Sequence, residues 1–182
     1  MEKCSQYGWK KNREPISSFE KNSLMITWPQ QQGIYVVIFS IIDPQVATIG
    51  KLGGADFYPG RYYYCGSAKG SGGLHQRITR HLDPETKKFW HVDFLKIFAR
   101  PIQVWTMLTV EVAECELVQA LKNLSEINMP IHGFGSSDCQ SQCGSHLAFS
   151  LPAVNVNEVF REMKTKFSGL QQTILFPADE VR

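Results

Sequence analysis

The chain has 182 residues, of which 43% are hydrophobic and 20% are charged. These values are typical of a soluble globular protein with one domain and extensions, and they allow a sizeable core. The longest apolar stretch is far too short to span a bilayer, which excludes a transmembrane helix. The formal net charge is only +2, so the total charge indicates no particular partner.

Charge is divided unevenly along the chain. Residues 61–100 carry eight Lys and Arg against three Asp and Glu, whereas residues 101–160 carry one Lys against six acidic residues. A basic part beside an acidic part would suit a site that binds both a phosphate and a cation. Chance segregation of solvated surface charges is the alternative interpretation.

Cysteine usage indicates the compartment. The number of cysteines is odd, and the N-terminus leads into no apolar signal-peptide core. We therefore expect free thiols in a reducing cytoplasm. The five residues are Cys4, Cys65, Cys115, Cys139 and Cys143.

The first elements form a predicted hairpin. Residues 1–30 are polar and irregular and are expected to be an N-terminal extension. Residues 33–42 are rich in Val and Ile, which indicates a buried strand. Residues 43–60 contain several glycines and prolines and are interpreted as a long, turn-rich connector. Residues 61–65 are the predicted partner strand, and a flexible loop over 66–73 follows.

A helix is predicted next, because Leu74, Ile78 and Leu82 recur every fourth residue until Pro84 ends the pattern. Asn155, with Glu158 three residues on, is expected to cap the last helix. The elements predicted after the first helix are a short helix over 91–98, a strand over 102–110, a helix over 112–124, an edge strand over 145–151 and a helix over 155–167.

This order predicts an α/β (α+β) sandwich, in which a small central antiparallel three-stranded sheet is flanked by helices, with an extra C-terminal strand and helix. We divide the chain into an extension over 1–30, a main domain over 31–150 and a C-terminal helix and tail over 151–182.

Two short tyrosine motifs lie on the predicted hairpin strands. Gly33-Ile34-Tyr35 opens the first strand, and Tyr64-Cys65-Gly66-Ser67 closes the second. Arg77 and His81 follow on the predicted helix about one turn apart, so their side chains share a face. Phenol, guanidinium and imidazole groups near glycines are suited to holding and attacking a phosphate.

A carboxylate that could hold a metal is expected at the start of the helix over 112–124. Glu114 lies on the apolar stripe of that helix, whereas Glu116 lies on a more polar face. An inward carboxylate is costly unless it is satisfied, and a metal would satisfy it. We therefore choose Glu114. The alternative is a glutamate that interacts only with the helix dipole.

In this combination and order, the residues resemble the GIY-YIG nucleases. In that superfamily two strands carry G-I-Y and Y-I-G, and the next helix carries an arginine and then a histidine four residues later. The first motif is complete here, whereas Cys65 replaces isoleucine in the second. More narrowly, residues 31–150 resemble the Uri-type, DUF123-like, endonuclease branch. The resemblance implies a GIY-YIG type fold and metal-dependent hydrolysis of DNA phosphodiester bonds.

The resemblance also implies a role for each matching residue. Glu114 would hold one Mg²⁺ or Mn²⁺ ion, and Tyr35 would orient or deprotonate the attacking water. Tyr64 would hydrogen-bond a phosphate oxygen or the nucleophile. Arg77 would neutralise charge that develops on the phosphate, and His81 would share proton transfer.

DNA is the expected partner, and single-stranded, duplex and branched DNA are all candidates. The residues expected to contact it are Lys69, Arg80, Lys87 and His91. The alternative function is a non-catalytic nucleic-acid-binding module that retains the GIY-YIG fold. The presence of every expected catalytic group favours the nuclease.

A second group of potential ligands follows the C-x3-C-x2-H spacing of Cys139, Cys143 and His146, and Cys115 could supply a fourth ligand. The usual zinc modules use tighter C-x2-C pairs. The sequence therefore favours a packed loop over a zinc site, with Asp138 and His146 bonding to the backbone.

Overall fold

The computed structural model describes residues 26–137 and 139–176. Most of the predicted N-terminal extension, including residues 1–25, lies outside this part. The end of the extension packs against the domain, because Trp28 is buried in the core. The carbonyl groups of Pro29 and Gln31 accept hydrogen bonds from the backbone N–H groups of His75 and Leu74.

Within the described residues, five antiparallel strands form the central sheet. Their bounds are β1 Gly33–Ile41, β4 Gly60–Ala68, β5 Arg100–Met107, β6 Leu147–Ser150 and β7 Gln171–Ile174. Their order across the sheet is β6-β4-β1-β5-β7. The prediction of a three-stranded sheet is therefore wrong in number. The expected edge strand is β6, which pairs with β4. Strand β7 was not predicted, because its four residues are mostly polar and only its pairing with β5 defines it.

The connector between the first two sheet strands has structure of its own. Strands β2 (Gln45–Thr48) and β3 (Gly54–Phe57) pair as a separate two-stranded sheet. A short 3-10 turn, Gly50–Leu52, joins them. Gly50, Gly53 and Gly54, which predict turns in the sequence, thus lie where the chain turns between the two strands of a small hairpin. This hairpin buries Phe57.

The central sheet has two apolar faces, since side chains alternate along each strand. One face, which includes Tyr35 and Tyr64, packs against helices α1 and α2. The other face, which includes Ile34 and Val36, packs against helices α3 and α4. The helices are α1 Gly73–Leu82, α2 Val92–Leu95, α3 Glu114–Lys122 and α4 Val156–Lys166. The chain is therefore a mixed α/β sandwich with the sheet as its middle layer.

A side-chain hydrogen bond caps the N-terminus of α4. The Asn155 side chain accepts a hydrogen bond from the Asn157 N–H, which confirms the predicted cap of α4. Glu158 lies 3.5 Å from Arg161.

No helix within residues 26–137 and 139–176 combines the length and the apolar character that crossing a membrane requires.

The two tyrosine motifs form one packing unit. The register of β1 and β4 places Tyr35 opposite Gly66. A Cβ atom on Gly66 would lie 2.3 Å from the Tyr35 hydroxyl oxygen and 2.4 Å from the ring carbon that carries it. The Tyr35 ring therefore occupies the space that any larger residue at position 66 would need. The glycine of the second motif thus makes room for the tyrosine of the first.

We predict that Gly66→Ala lowers the free energy of unfolding by about 1–3 kcal/mol, because the added methyl group forces the Tyr35 ring to move. Urea denaturation measures this change. Gly70→Ala is the matched control, since a Cβ atom at Gly70 would have nothing within 4 Å. Equal losses of stability in the two variants would contradict the packing argument.

Candidate active site

A hydrogen bond between Tyr35 and His81 lies at the centre of the site. The Tyr35 hydroxyl oxygen and His81 Nε2 are 2.9 Å apart, although the residues are 46 positions apart in sequence. Tyr35 is only 1% exposed and His81 is 0% exposed. Strand β1 and helix α1 thus bring two predicted catalytic groups into direct contact away from solvent.

Asp93, on α2, is a buried carboxylate next to this pair. It accepts backbone hydrogen bonds from Phe89 at 2.9 Å and Trp90 at 2.8 Å. Both terminal nitrogens of Arg80 donate to it at 3.0 Å, and Lys96 Nζ lies 3.5 Å away. Burial alone would raise the pKa of Asp93, but its neighbours outweigh burial and hold that pKa well below the usual range. Asp93 is therefore ionised at neutral pH.

The surroundings of His81 indicate which of its two ring nitrogens carries the proton. Its Nδ1 atom lies 3.8 Å from Asp93 Oδ1, which is too long for a hydrogen bond. The ionised carboxylate at this distance favours a proton on Nδ1 over one on Nε2. We assign the neutral tautomer with the proton on Nδ1. The lone pair on Nε2 then faces Tyr35, whose hydroxyl donates. Burial lowers the pKa of His81 and Asp93 opposes this only in part, so the ring is neutral at neutral pH.

Tyr64 completes an aromatic cluster around the imidazole. Its ring centroid is 6.5 Å from that of Tyr35 and 5.6 Å from that of His81, to which it packs edge-on. Burial is the largest effect on both tyrosines and raises the pKa of each phenol well above its usual value of about 10. Neither tyrosine is a phenolate at neutral pH, so either could act as a base only by passing its own proton on.

Arg77 places a positive charge beside the two phenols. It lies one turn before His81 on α1, and its guanidinium carbon is 5.0 Å from the centroid of the Trp90 ring. Its charge lowers the pKa of Tyr35 and of Tyr64, which partly offsets the effect of burial. The guanidinium charge therefore favours negative charge at the two phenols.

Glu114 approaches the site from the other layer of the sandwich. The apolar side chains of α3 cover the opposite face of the sheet, but Glu114 is the first residue of that helix. Its charge raises the pKa of both Tyr35 and Tyr64. One of its carboxylate oxygens, Oε2, is buried and has no hydrogen-bond partner among residues 26–137 and 139–176.

The competing glutamate has different surroundings. Glu116 is exposed, and its Oε1 atom accepts the backbone N–H of Ala113 at 2.9 Å, which caps the start of α3. Of the two candidates, Glu114 is thus the one that has a buried, unsatisfied oxygen and whose charge acts on the tyrosines. A buried carboxylate oxygen without a partner is costly, and a hard divalent cation would satisfy it. The residues present therefore fit one divalent cation at Glu114.

The four predicted DNA contacts divide into two kinds. Lys69 and Lys87 are exposed. Arg80 instead binds Asp93 and also donates to the Lys87 carbonyl at 3.0 Å. His91 is half-buried and its Nδ1 accepts the Gly135 N–H at 2.9 Å. Arg80 and His91 therefore make internal contacts that hold α1, α2 and the loop at Gly135 together.

A surface depression of about 660 Å³ also borders α1. It is lined by residues such as His75, Thr79 and Asp83, and by none of the five predicted catalytic residues. We do not place the reaction there, because it lacks the cluster of phenol, imidazole and carboxylate groups described above.

Asp93 is a site residue that the sequence did not indicate. The available signal is an acidic residue between two apolar positions, Val92 and Leu95, of a short helix.

The potential zinc ligands noted in the sequence do come together. The ligand atoms of Cys115, Cys139, Cys143 and His146 all lie within 4.8 Å of one another.

The side chain of His146 was expected to bond to the backbone, but its Nε2 atom lies 3.5 Å from the Cys115 sulfur. The main-chain groups of His146 are paired. Its N–H donates to the Phe134 carbonyl at 2.7 Å, and its carbonyl accepts the Cys65 N–H at 2.9 Å. The similar expectation for Asp138 falls outside the described residues.

The fold is a mixed α/β domain, and its candidate site centres on three neighbouring buried side chains, a tyrosine, a histidine and an aspartate. The chain belongs to the family described as domain of unknown function DUF123, whose family model matches residues 34–169. The match covers most of the chain and includes every residue of the candidate site. Neither the curated proteins nor the solved structures yielded a match.

We predict that the two arginines of α1 differ in their effect on stability. Arg80→Ala leaves the buried Asp93 charge without its main side-chain donor and should lower the free energy of unfolding by about 3 kcal/mol or more. Arg77→Ala loses mainly a contact with the Trp90 ring and should cost less than about 1 kcal/mol. Chemical denaturation of both variants measures the difference. A larger loss in Arg77→Ala would contradict the assignment of Arg80 to structure.

Proposed function

We propose that the protein is a metal-dependent endonuclease of the GIY-YIG superfamily, of the Uri type, that hydrolyses DNA phosphodiester bonds. The observation that carries the proposal is the buried hydrogen bond of 2.9 Å between Tyr35 and His81. The charges of Arg77 and Glu114 both act on the Tyr35 phenol, and Glu114 Oε2 has no hydrogen-bond partner among the described residues. An acceptor for a proton, a cation for a phosphate and a ligand for a metal thus occur together.

Hydrolysis requires that the attacking water lose a proton, and the tyrosine–histidine–aspartate chain provides a route for it. As the water gives a proton to the Tyr35 oxygen, the hydroxyl proton of Tyr35 passes to His81 Nε2. The ionised Asp93 then stabilises the imidazolium that forms. Because Tyr35 never has to exist as a free phenolate, its raised pKa does not prevent it from acting as the base.

The remaining side chains act on the phosphate. Arg77 would stabilise the negative charge that increases in the transition state, and the Tyr64 hydroxyl would donate to a phosphate oxygen. A divalent cation held by Glu114, Mg²⁺ or Mn²⁺, would add a further neutralising charge at the scissile group. The site holds these groups in a largely buried setting, where such interactions are stronger than in water.

DNA is the proposed substrate because of the charge around the site. Residues 61–100, which include α1, carry an excess of five positive charges, and Lys69 and Lys87 are exposed within that segment. Such lysines would bind backbone phosphates without reading sequence.

We propose the cytoplasm as the compartment, since the four cysteines within the described residues are free thiols.

We predict that Glu114→Gln abolishes cleavage, because it removes the charge that would bind the cation while it preserves the shape of the side chain. The loss should be at least about 10²–10³-fold in rate, the range for removal of one transition-state stabiliser. The assay uses labelled single-stranded, duplex and branched DNA with Mg²⁺, Mn²⁺ or EDTA. Wild-type protein should cleave in the presence of either cation and be inactive in EDTA.

Glu116→Gln is the matched control for this assay, since it makes the same chemical change two residues later. It should keep its activity within a few-fold and lose only about 0.5–1 kcal/mol of stability from a weaker helix cap. An inactive Glu116→Gln beside an active Glu114→Gln would show that the wrong carboxylate was chosen. Salt-dependent DNA binding without cleavage in any cation would support the non-catalytic binding module instead.

We predict an acid limb in the pH dependence of the cleavage rate, located below pH 6.5. His81 must be neutral to accept the Tyr35 proton, and burial lowers its pKa from the usual value of about 6.5. The rate should therefore increase with pH through this lowered pKa and then become independent of His81 above pH 6.5. A nuclear magnetic resonance titration of the His81 ring gives the pKa directly. A midpoint above 6.5 would contradict the buried neutral imidazole.

A further inference from the structure

Four side chains with metal-binding atoms meet on the α3 side of the sheet. The sulfur atoms of Cys115 and Cys139 are 3.1 Å apart, and those of Cys139 and Cys143 are 3.4 Å apart. His146 Nε2 lies 3.5 Å from the Cys115 sulfur. All four ligand atoms lie within 4.8 Å of one another, and two of the residues, Cys143 and His146, are buried.

These sulfur–sulfur distances, 3.1 and 3.4 Å, are far longer than a disulfide bond and somewhat shorter than the spacing in a zinc tetrahedron. Two sulfur atoms bound to one zinc ion at about 2.3 Å each stand about 3.8 Å apart at the tetrahedral angle. A disulfide would bring one pair to about 2.05 Å and leave the other groups unrelated. Here one cysteine, Cys139, lies at similar short distances from two others, so no single disulfide accounts for the arrangement.

The fold builds the cluster from parts that are distant in sequence. Cys115 is the second residue of α3, and the other three residues lie in the loop that leads into β6. Within that loop, Gln142 and Gly144 flank Cys143 and have positive φ angles of 46° and 84°. A non-glycine residue rarely adopts that conformation. The loop is therefore tightly turned at the point where it presents its sulfur atoms to the helix.

We infer that Cys115, Cys139, Cys143 and His146 bind one structural Zn²⁺ ion that joins the loop before β6 to the start of α3. Four protein ligands leave no open coordination position, which is the arrangement of structural zinc sites. Because Cys115 follows Glu114 directly, the ion would fix the end of α3 that carries the proposed catalytic carboxylate. The inference is independent of the nuclease proposal, since it rests on different side chains.

The wild-type chain provides the first test. Protein purified under reducing conditions and dialysed against metal-free buffer should contain about one zinc per chain by elemental mass spectrometry. Replacement of zinc by Co²⁺ should give the thiolate-to-cobalt charge-transfer bands and the intense visible bands of a tetrahedral site. Removal of the ion with a strong chelator should lower the thermal unfolding midpoint, because metal binding contributes folding free energy. These measurements need no variant to fold.

The second test compares a cysteine of the cluster with one outside it. Cys139→Ala should reduce zinc content to a small fraction of the wild-type value. Cys65→Ala should retain zinc, because Cys65 is not among the four members of the cluster, although its backbone N–H donates to the His146 carbonyl. DNA cleavage is not a readout here, so an inactive protein that holds zinc would contradict only the nuclease proposal.

Three results would overturn the inference. The first is wild-type protein that holds no metal, or holds iron instead of zinc. The second is a disulfide between two of the three cysteines of the cluster in protein purified under reducing conditions. The third is a folded Cys139→Ala variant that binds zinc as the wild type does.

Discussion

The buried charge of Asp93 is the constraint on which the site depends. A carboxylate without solvent is tolerated only when donors surround it, and here Arg80 and two backbone N–H groups do so. These contacts attach α2 to α1 in one orientation. That orientation points the His81 ring at the Tyr35 hydroxyl and fixes its tautomer. The geometry of the tyrosine–histidine pair is thus a consequence of how one acidic residue is satisfied.

The site also depends on both layers of the sandwich. Tyr35, Tyr64 and His81 belong to the layer of α1 and α2, whereas Glu114 begins a helix of the opposite layer. The Glu114 charge nevertheless acts on both phenols and raises the pKa of each. The proposed zinc cluster lies beside that start, through Cys115. A zinc ion in that cluster would therefore link the stability of the loop before β6 to the position of the carboxylate that we propose to be catalytic.

Local patterns in the sequence were sufficient for the elements that carry the motifs. Apolar runs predicted β1 and β4, and a four-residue repeat predicted α1. Strand β7 could not be predicted, because its polar residues form a strand only through pairing with β5. The structural role of Arg80 could not be predicted either, because it also depends on a partner brought close only by the fold. Its partner Asp93 is thirteen residues away, and only the packing of α2 on α1 brings them together.

The central claim is that Glu114 binds a divalent cation within reach of the two tyrosines. A crystal structure of the protein soaked with Mn²⁺, with data recorded at the manganese absorption edge, tests this most directly. The account predicts an anomalous peak within about 2.5 Å of Glu114 Oε2, with water molecules completing an octahedral shell. A peak at any other carboxylate, or no peak near Glu114 at a saturating concentration of Mn²⁺, would contradict it.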